Sequence, residues 1–463
     1  MRRHKRKLTV LSAFTGLGGL DLGLEAAGFK TIACIERDPT TRLSIHANRP
    51  NRKLLKTADI VDVARILSPK DLGLRRRQLN VLAGGPPCQP FSKAAQWAET
   101  GRRGLADPRA KCLSAFLRLA ERFLPRVVLI ENVPGFARGE TSAIRAIKAK
   151  LRRINKRYRT SYRLEWRVLN AADYGVPQKR DRTILIARRD GRAFDWPAST
   201  HAGRHVRAYD ALADVTAIKR PKLTGYWAEL LGSIPEGRNY LYLTKEGGGP
   251  PVFGSRRRYW SFLLKLAKDS PAWTISAQPG PATGPFHWSN RPLAIKELLR
   301  LQSFPKGWRV SGSRTAQVRQ IGNATPPLLA EVIGRALGNS VFGRTYQNPL
   351  RLGISRRRKV PAATAPASIP AKYRKHVGRH TAHPGEGRGP GAKARAKKEA
   401  PRDRQRTARR TKPVAPKRRL ALTARVASGA VVERAVRRSG VQSGRRRRGL
   451  RTPRRVQPAT RAA

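Results

Sequence analysis

The sequence predicts an α/β protein built on a nucleotide-binding sheet, followed by a smaller irregular domain and a polycationic tail. Three observations predict it. A β-type run, Leu8-Thr9-Val10-Leu11, breaks into the glycine turn Gly16-Leu17-Gly18-Gly19 and then into helical spacing from Leu22 to Ala27, the first unit of a doubly wound sheet. The run Val127-Val128-Leu129-Ile130 is wholly apolar, as a strand covered on both faces must be. The 463 residues carry 98 Lys and Arg against 29 Asp and Glu, a surplus that attracts polyanions, nucleic acid first among them.

That charge is unevenly spread. From Arg351 to Ala463 there are 35 Lys and Arg, 4 Asp and Glu, one Tyr and no Trp or Phe. Such a segment cannot bury enough apolar surface to offset its ordering entropy. Residues 346–463 are therefore expected to be a disordered tail that binds DNA without sequence preference, with Leu420 to Arg438 able to turn helical on DNA. The cysteines are three, Cys34, Cys88 and Cys112; the odd count argues against a disulfide framework, and no metal-ligand spacing is present. The basic N-terminus leads into an apolar run that breaks at Gly16 without a cleavage-site pattern, so it reads as a strand. No run has the length of a membrane span. A monomeric protein of the cytoplasm, associated with the nucleoid, is expected.

Along the chain, the glycine turn after Phe14-Thr15 brings backbone close to a ligand. The dinucleotide pattern G-x-G-x-x-G fails, because Asp21 holds its last position. A second strand, Thr31 to Ile35, ends at Glu36, placed to accept both hydroxyls of a ribose. Asp59-Ile60 follows a third turn; the Asp can accept from an adenine amino group while the Ile packs on the ring. The run Leu79 to Ala83 then ends in Gly84-Gly85-Pro86-Pro87-Cys88-Gln89-Pro90-Phe91-Ser92. Prolines fix φ, so the Cys88 sulfur is held on a stiff loop at a strand's carboxyl end, where α/β proteins place chemistry. An amphipathic helix, Cys112 to Phe123, precedes the apolar strand, which ends in Glu131-Asn132-Val133. A basic helix, Ile144 to Arg157, reads as a solvated face. The strand Tyr162 to Leu169 leads to Gln178-Lys179-Arg180-Asp181-Arg182, where Arg180 and Arg182 share one face of a strand.

Residues 190–290 lose this alternation. They are rich in Gly, Pro, Arg and aromatics, Tyr226, Trp227, Tyr240, Tyr242 and Tyr259-Trp260 among them. Basic residues interleaved with aromatics suit a nucleic-acid surface, with part of the aromatics forming a small core. Residues 291–345 carry two further helical stretches and Gly322-Asn323, and return to the domain formed by residues 1–189.

In this order, Phe14-Thr15-Gly16-Leu17-Gly18-Gly19, Glu36, Asp59-Ile60, Pro86-Pro87-Cys88-Gln89-Pro90-Phe91-Ser92, Glu131-Asn132-Val133, Gln178-Lys179-Arg180-Asp181-Arg182, Arg291-Pro292-Leu293 with Glu297 and Leu301-Gln302-Ser303-Phe304-Pro305, and Gly322-Asn323 resemble the cytosine-5 DNA methyltransferases of the bacterial modification type, over residues 8 to 340. The resemblance implies a Rossmann-like fold dependent on S-adenosylmethionine, a target-recognition domain at 190–290, and double-stranded DNA as partner. It assigns Cys88 as nucleophile toward carbon 6 of a flipped cytosine, Glu131 as the group at the ring nitrogen, Arg182 at the base's carbonyl oxygen, and Arg180 beside it on the nucleotide. Phe14, Gly16, Leu17, Gly18, Gly19, Glu36, Asp59, Ile60, Pro86 and Asn323 would surround the cofactor. Ser12 stands where many members carry Asp, Arg37 where an apolar residue often covers the adenine, and Thr325 where Val is common. The alternatives are the same chemistry on tRNA and a non-catalytic DNA-binding homologue; a nicotinamide enzyme would leave Cys88 unexplained.

Overall fold

The computed structural model describes residues 7–87, 110–138, 143–216, 221–253, 260–354 and 357–378. Cys88 and residues 379–463 of the expected tail lie outside the described residues. The first strand is β1 (Leu8–Ala13). It passes through the glycine turn into α1 (Gly19–Ala26), and β2 (Phe29–Ile35) follows. Helices α2 (Pro39–Asn48) and α3 (Ile60–Ile66) each start at an aspartate, Asp38 and Asp59, whose side chain accepts a backbone N–H of the first turn, the usual N-cap device. Then come β3 (Val81–Gly84), α4 (Ala110–Phe123), β4 (Val127–Asn132), α5 (Ile144–Tyr158), β5 (Arg163–Asn170) and β6 (Asp181–Arg188).

These strands form one six-stranded sheet of order β2-β1-β3-β4-β6-β5. The pairs β2–β1, β1–β3 and β3–β4 are parallel, while β6 runs antiparallel to both β4 and β5. The chain reverses direction across the sheet between β1 and β3, and a crevice opens at their carboxyl ends. Alternate strand residues point to opposite faces, which yields two cores. Leu11, Leu82, Val128 and Ile130 meet α3, α4 and α5 on one face. Val10, Val81, Ala83, Val127 and Leu129 meet α1 and a late helix, Leu328 to Val341, on the other.

That helix, the third of the return segment, shows why the chain must come back. The segment contains α7 (Ile295–Leu301), α8 (Arg314–Asn323) and α9 (Pro327–Phe342), numbered after α6 (Ala208–Leu212) in the intervening region. Pro327 stands in the first turn of α9, and Gly343 ends it in the left-handed conformation, the expected Pro-start and Gly-stop. Leu328, Leu329, Ile333 and Leu337 of α9 are buried, each contributing roughly 1.5–3 kcal/mol. Helices α1 and α9 touch backbone to backbone: a Cβ at Gly23 would lie 2.3 Å from the Pro327 carbonyl oxygen. Without α9, one face of the sheet would be open to water.

Between β6 and α7 regular structure is sparse, as expected: α6, 3-10 turns at Ala228–Ser233 and Tyr240–Leu243, and a two-stranded pairing of β7 (Phe286–His287) with β8 (Arg291–Pro292). A separate core of Leu230, Leu231, Ile234, Tyr240, Leu243, Phe253 and Leu263 holds this region together.

The expectation of disorder from residue 346 onward is corrected for the described residues up to Gly378. They form a strap. Glu331 of α9, fully buried, accepts N–H groups of Arg351 (2.8 Å) and Leu352 (2.9 Å). Asp210 accepts from the Arg358 N–H at 3.0 Å. The strap ends in α10 (Ala371–Arg374), with Ile369 and Tyr373 inside the separate core of the intervening region and Tyr373 stacked on Trp227 at 5.7 Å. The low aromatic content of the tail hid this, because its one tyrosine is the residue that anchors the strap.

Candidate active site

The site is built at the carboxyl ends of β1, β3 and β4. Backbone conformation sets its first wall. Phe14 has φ 54° and Gly18 φ 82°, so the turn curls back before α1 begins. A Cβ at Gly19 would lie 2.0 Å from the Thr325 carbonyl oxygen; the return segment therefore closes directly on the glycine turn. Glu36 fixes the turn from the β2 side. Its Oε2 accepts the Gly16 N–H at 2.8 Å, and its Oε1 accepts the Asp38 N–H at 2.9 Å.

The second wall is β3, β4 and the start of β6. Glu131, 7 % exposed, is the next-to-last residue of β4 and stands against Gly85, where a Cβ would come within 3.2 Å of its Oε2. The Arg182 Nε lies 2.7 Å from Glu131 Oε1. This is an ion pair by distance but not an aligned hydrogen bond, since Oε1 accepts none among the described residues. Asn132 donates from Nδ2 to the Pro86 carbonyl at 2.9 Å, and its Oδ1 accepts the Val133 N–H at 2.9 Å. The loop that leads to Cys88 is thus fastened to the strand that carries Glu131.

One cavity joins the two walls. It is lined by Phe14, Gly16 and Gly19 from the turn, by Gly85 and Glu131, and by Asn323 to Thr325 from the return segment. Phe14 tilts against Phe116 at 6.3 Å. Ser12 and Asp21 line the same cavity. Ser12 donates to Asp21 Oδ2 at 2.8 Å, Thr31 donates to Oδ1 at 3.1 Å, and the Arg52 guanidinium lies 3.9 Å away. Burial raises the Asp21 carboxyl above its usual range, against Arg52 and the two hydroxyls, which pull it down.

Several expected residues sit elsewhere. Ile60 is 5 % exposed and packed in the core beneath α4, so its side chain is committed to packing rather than to a ring in the crevice. Asp59 caps α3 through the Val61 N–H (2.8 Å), with its other oxygen 3.4 Å from Arg37. Leu17 turns away from the cavity into the cluster formed with α7 and α8. Pro86 is buried, with its carbonyl held by Asn132.

Arg180 departs most from expectation. It is 1 % exposed. Its Nη2 donates to the carbonyls of Gly322 and Ala324 and its Nη1 to that of Ile275. It brackets Asn323 rather than facing a nucleotide. Gln178, fully buried, supports it by accepting the Ile275 N–H at 3.0 Å and donating to the Leu301 carbonyl at 3.2 Å. Strand alternation put Arg180 and Arg182 on one face, but β6 begins at Asp181, and Arg180 lies before the pleat begins.

Sequence reasoning missed Asn132, Gln178 and Asp21. Asn132 and Gln178 stood inside quoted motifs without a role. Asp21 was noticed only as a mismatch to a glycine pattern, although a Ser at position 12 with an Asp two residues beyond the last turn glycine was a usable signal. Among the described residues no cluster of His, Cys, Asp and Glu could hold a metal ion, and no helix is long and apolar enough to cross a membrane.

Comparison with known proteins bears on this arrangement directly. The family model described as C-5 cytosine-specific DNA methylase matches residues 8–339. The chain is 34 % identical to the Type II methyltransferase M.SacI of Streptomyces achromogenes over 371 residues, 72 % of this chain and 93 % of that protein. It is 32 % identical to M1.HphI of Haemophilus parahaemolyticus over 349 residues, 71 % of this chain and 86 % of that protein. Among solved structures, a DNA modification methyltransferase from an Escherichia coli prophage aligns with a TM-score of 0.51 at 24 % identity, covering 73 % of this chain and all of that one, which supports the fold.

Proposed function

The chain belongs to the C-5 cytosine-specific DNA methylase family, and from that premise we propose that it methylates carbon 5 of a cytosine flipped out of a short, specific duplex sequence, through a covalent adduct of Cys88 at carbon 6. The observation that carries the proposal is the single cavity that joins the glycine turn to Glu131. A donor held by the turn and a base held at Glu131 would then meet across it.

The cofactor of the family is S-adenosylmethionine, which when bound supplies an electrophilic sulfonium methyl group. The residues fit it. The glycine turn leaves room for close backbone approach, and the Glu36 carboxylate keeps a lone pair on each oxygen beyond its two N–H partners for a ribose diol. Asn323 and Thr325 close the far side. The buried Asp21 gives this end of the cavity a carboxylate where Ser12 provides none.

Carbon 5 of cytosine is a weak nucleophile. A thiolate adds to carbon 6 and pushes electrons toward carbon 5 and the ring nitrogen at position 3; Cys88 supplies it, since thiolates are strong nucleophiles and can later leave. Glu131 holds a proton or strong hydrogen bond at that nitrogen as its charge grows, and Arg182, beside it, holds the carbonyl oxygen. Once carbon 5 carries its methyl group, loss of the proton at carbon 5 expels the Cys88 sulfur and restores the ring. Asn132, by gripping the Pro86 carbonyl, holds the nucleophile's loop in register with Glu131. The recognition lobe would read the flanking bases. Lys179 stands 4.9 Å over Trp273, which packs edge-on to the half-exposed Trp260, a cationic and aromatic surface.

Expression in a host, followed by base-resolution mapping of 5-methylcytosine beside a Cys88→Ala control, tests the reading. Methylation at one short motif, absent in the control, is expected. Absence from DNA together with methylation of tRNA would overturn it.

A further inference from the structure

Helix α5 is amphipathic in an unusual way. Ile144, Ile147, Leu151 and Ile154 bury one stripe in the core, while Arg145, Lys148, Arg152, Arg153, Lys156 and Arg157 are exposed on the other side. The edge strand β5 borders this surface with the exposed Trp166, while Arg163 and Arg167 alternate to the other face of the sheet, where Arg167 lies 5.3 Å over Trp196. Residues 144–159 hold eight Lys and Arg and no acid.

A uniform arginine bias does not explain this. Helix α9, of similar length, carries only Arg335 and Glu331, and α4 carries Glu121 beside Lys111, Arg118 and Arg122. Counter-charge is scarce at the stripe. Glu121 takes Lys150 and, at 3.6 Å, Arg157. Arg145, Lys148, Arg152, Arg153 and Lys156 form no ion pair among the described residues. Trp166 on β5 lies exposed within the patch, with the Lys148 ammonium 4.9 Å over its ring. Like charges this dense repel one another and gain from a polyanion.

We propose that the outer face of α5, bordered by Trp166, is a second nucleic-acid surface, which takes the phosphate backbone of a duplex segment other than the one in the cleft. Topology separates the two surfaces. Helix α5 starts beyond the carboxyl end of β4, the edge that bears Glu131, and returns to the opposite edge, where β5 begins. Its 15 residues span about 22 Å. At the far end the stripe continues into Arg76, stacked 4.4 Å over Tyr158, and Arg77, which donates to the Tyr158 carbonyl. A duplex lying along the crevice edge leaves that end free. The contacts are to phosphates and carry no base recognition. The proposal rests on the reading that the substrate is duplex DNA.

The test uses the full chain and Lys148→Glu/Arg152→Glu/Lys156→Glu, with the corresponding triple Gln variant as a milder control. Each enzyme is first saturated with a short duplex carrying its mapped site, and a labelled site-free duplex is then titrated in. The Glu variant should bind the second duplex at least tenfold more weakly, with a log–log salt slope shallower by about 2 to 3. The Gln variant should fall between. Melting temperature and methylation of the short duplex should stay within twofold of the parent's behaviour. Unchanged second-duplex affinity in both variants would overturn the proposal, as would loss of single-stranded RNA binding in place of duplex binding. Failure of the methylation reading would show separately, as absent turnover in the parent, while site-free duplex binding still reports on the stripe.

Discussion

Arg182 and Glu131 face each other across neighbouring antiparallel strands, Nε to Oε1 at 2.7 Å, both largely buried at the carboxyl edge of β4. The pair is charge-balanced, and its second carboxylate oxygen points at the loop leading to Cys88. Glu131→Gln should lower the single-turnover methylation rate by about 10²–10⁴-fold, with S-adenosylmethionine affinity by calorimetry little changed. A rate near that of the parent would remove Glu131 from the chemistry.

Much of this site was legible in the sequence. The glycine turn and Glu131 line one cavity, and Glu36 holds the turn, as their positions at strand ends and turns predict from local rules alone. Arg180, Ile60 and Leu17 were read in the right places but facing the wrong way, because where a side chain points depends on segments far along the chain. The Arg180 partners lie at Ile275, Gly322 and Ala324, and no local pattern announces them. The strap escaped for a similar reason, since composition averages over one buried tyrosine.

Arg180→Met should destabilise the fold by ~3 kcal/mol, because three buried carbonyls lose a charged donor. Urea unfolding would measure it, and limited proteolysis should open first near Ile275 and Asn323. If Arg180 instead held the nucleotide, stability would be unchanged and duplex affinity would fall.

Lys265 gives a pH dependence. Burial pushes its ammonium down to about 8, against Glu236, which pulls it up. Between that value and the ordinary lysine value the unfolded chain binds more protons than the folded one, so stability rises with pH through this window. Lys265→Met, close in volume, should raise the melting temperature at pH 7 and flatten the rise from about pH 8 up toward the ordinary lysine value. A steeper rise in the variant would contradict the assignment.

Chain ends can be placed with the same logic. A protein ending at Gly378 should melt within about 2 °C of the full chain, since it keeps Ile369 and Tyr373 in the core. One ending at Gly343 should lose on the order of 3 kcal/mol or more from those two side chains alone. Thermal denaturation of both, with site-specific methylation as a second readout, checks the contrast.

The strap also changes what counts as a portable specificity module. Under the proposed function residues 190–290 form a cassette between two catalytic segments, and exchanging them between relatives would be the natural way to transplant a target sequence. Yet the hydrophobic interior of that cassette is completed from outside it: Ile369 and Tyr373 fill it, the Ala367 N–H donates to the Gly232 carbonyl, and Ser233 donates to the Ser368 carbonyl. A graft that moves residues 190–290 alone would set a foreign interior against the native plug. Recombination that preserves folding must carry two separated stretches together, so whatever residues 190–290 contribute is inherited only with a segment that follows the last helix of the sheet domain.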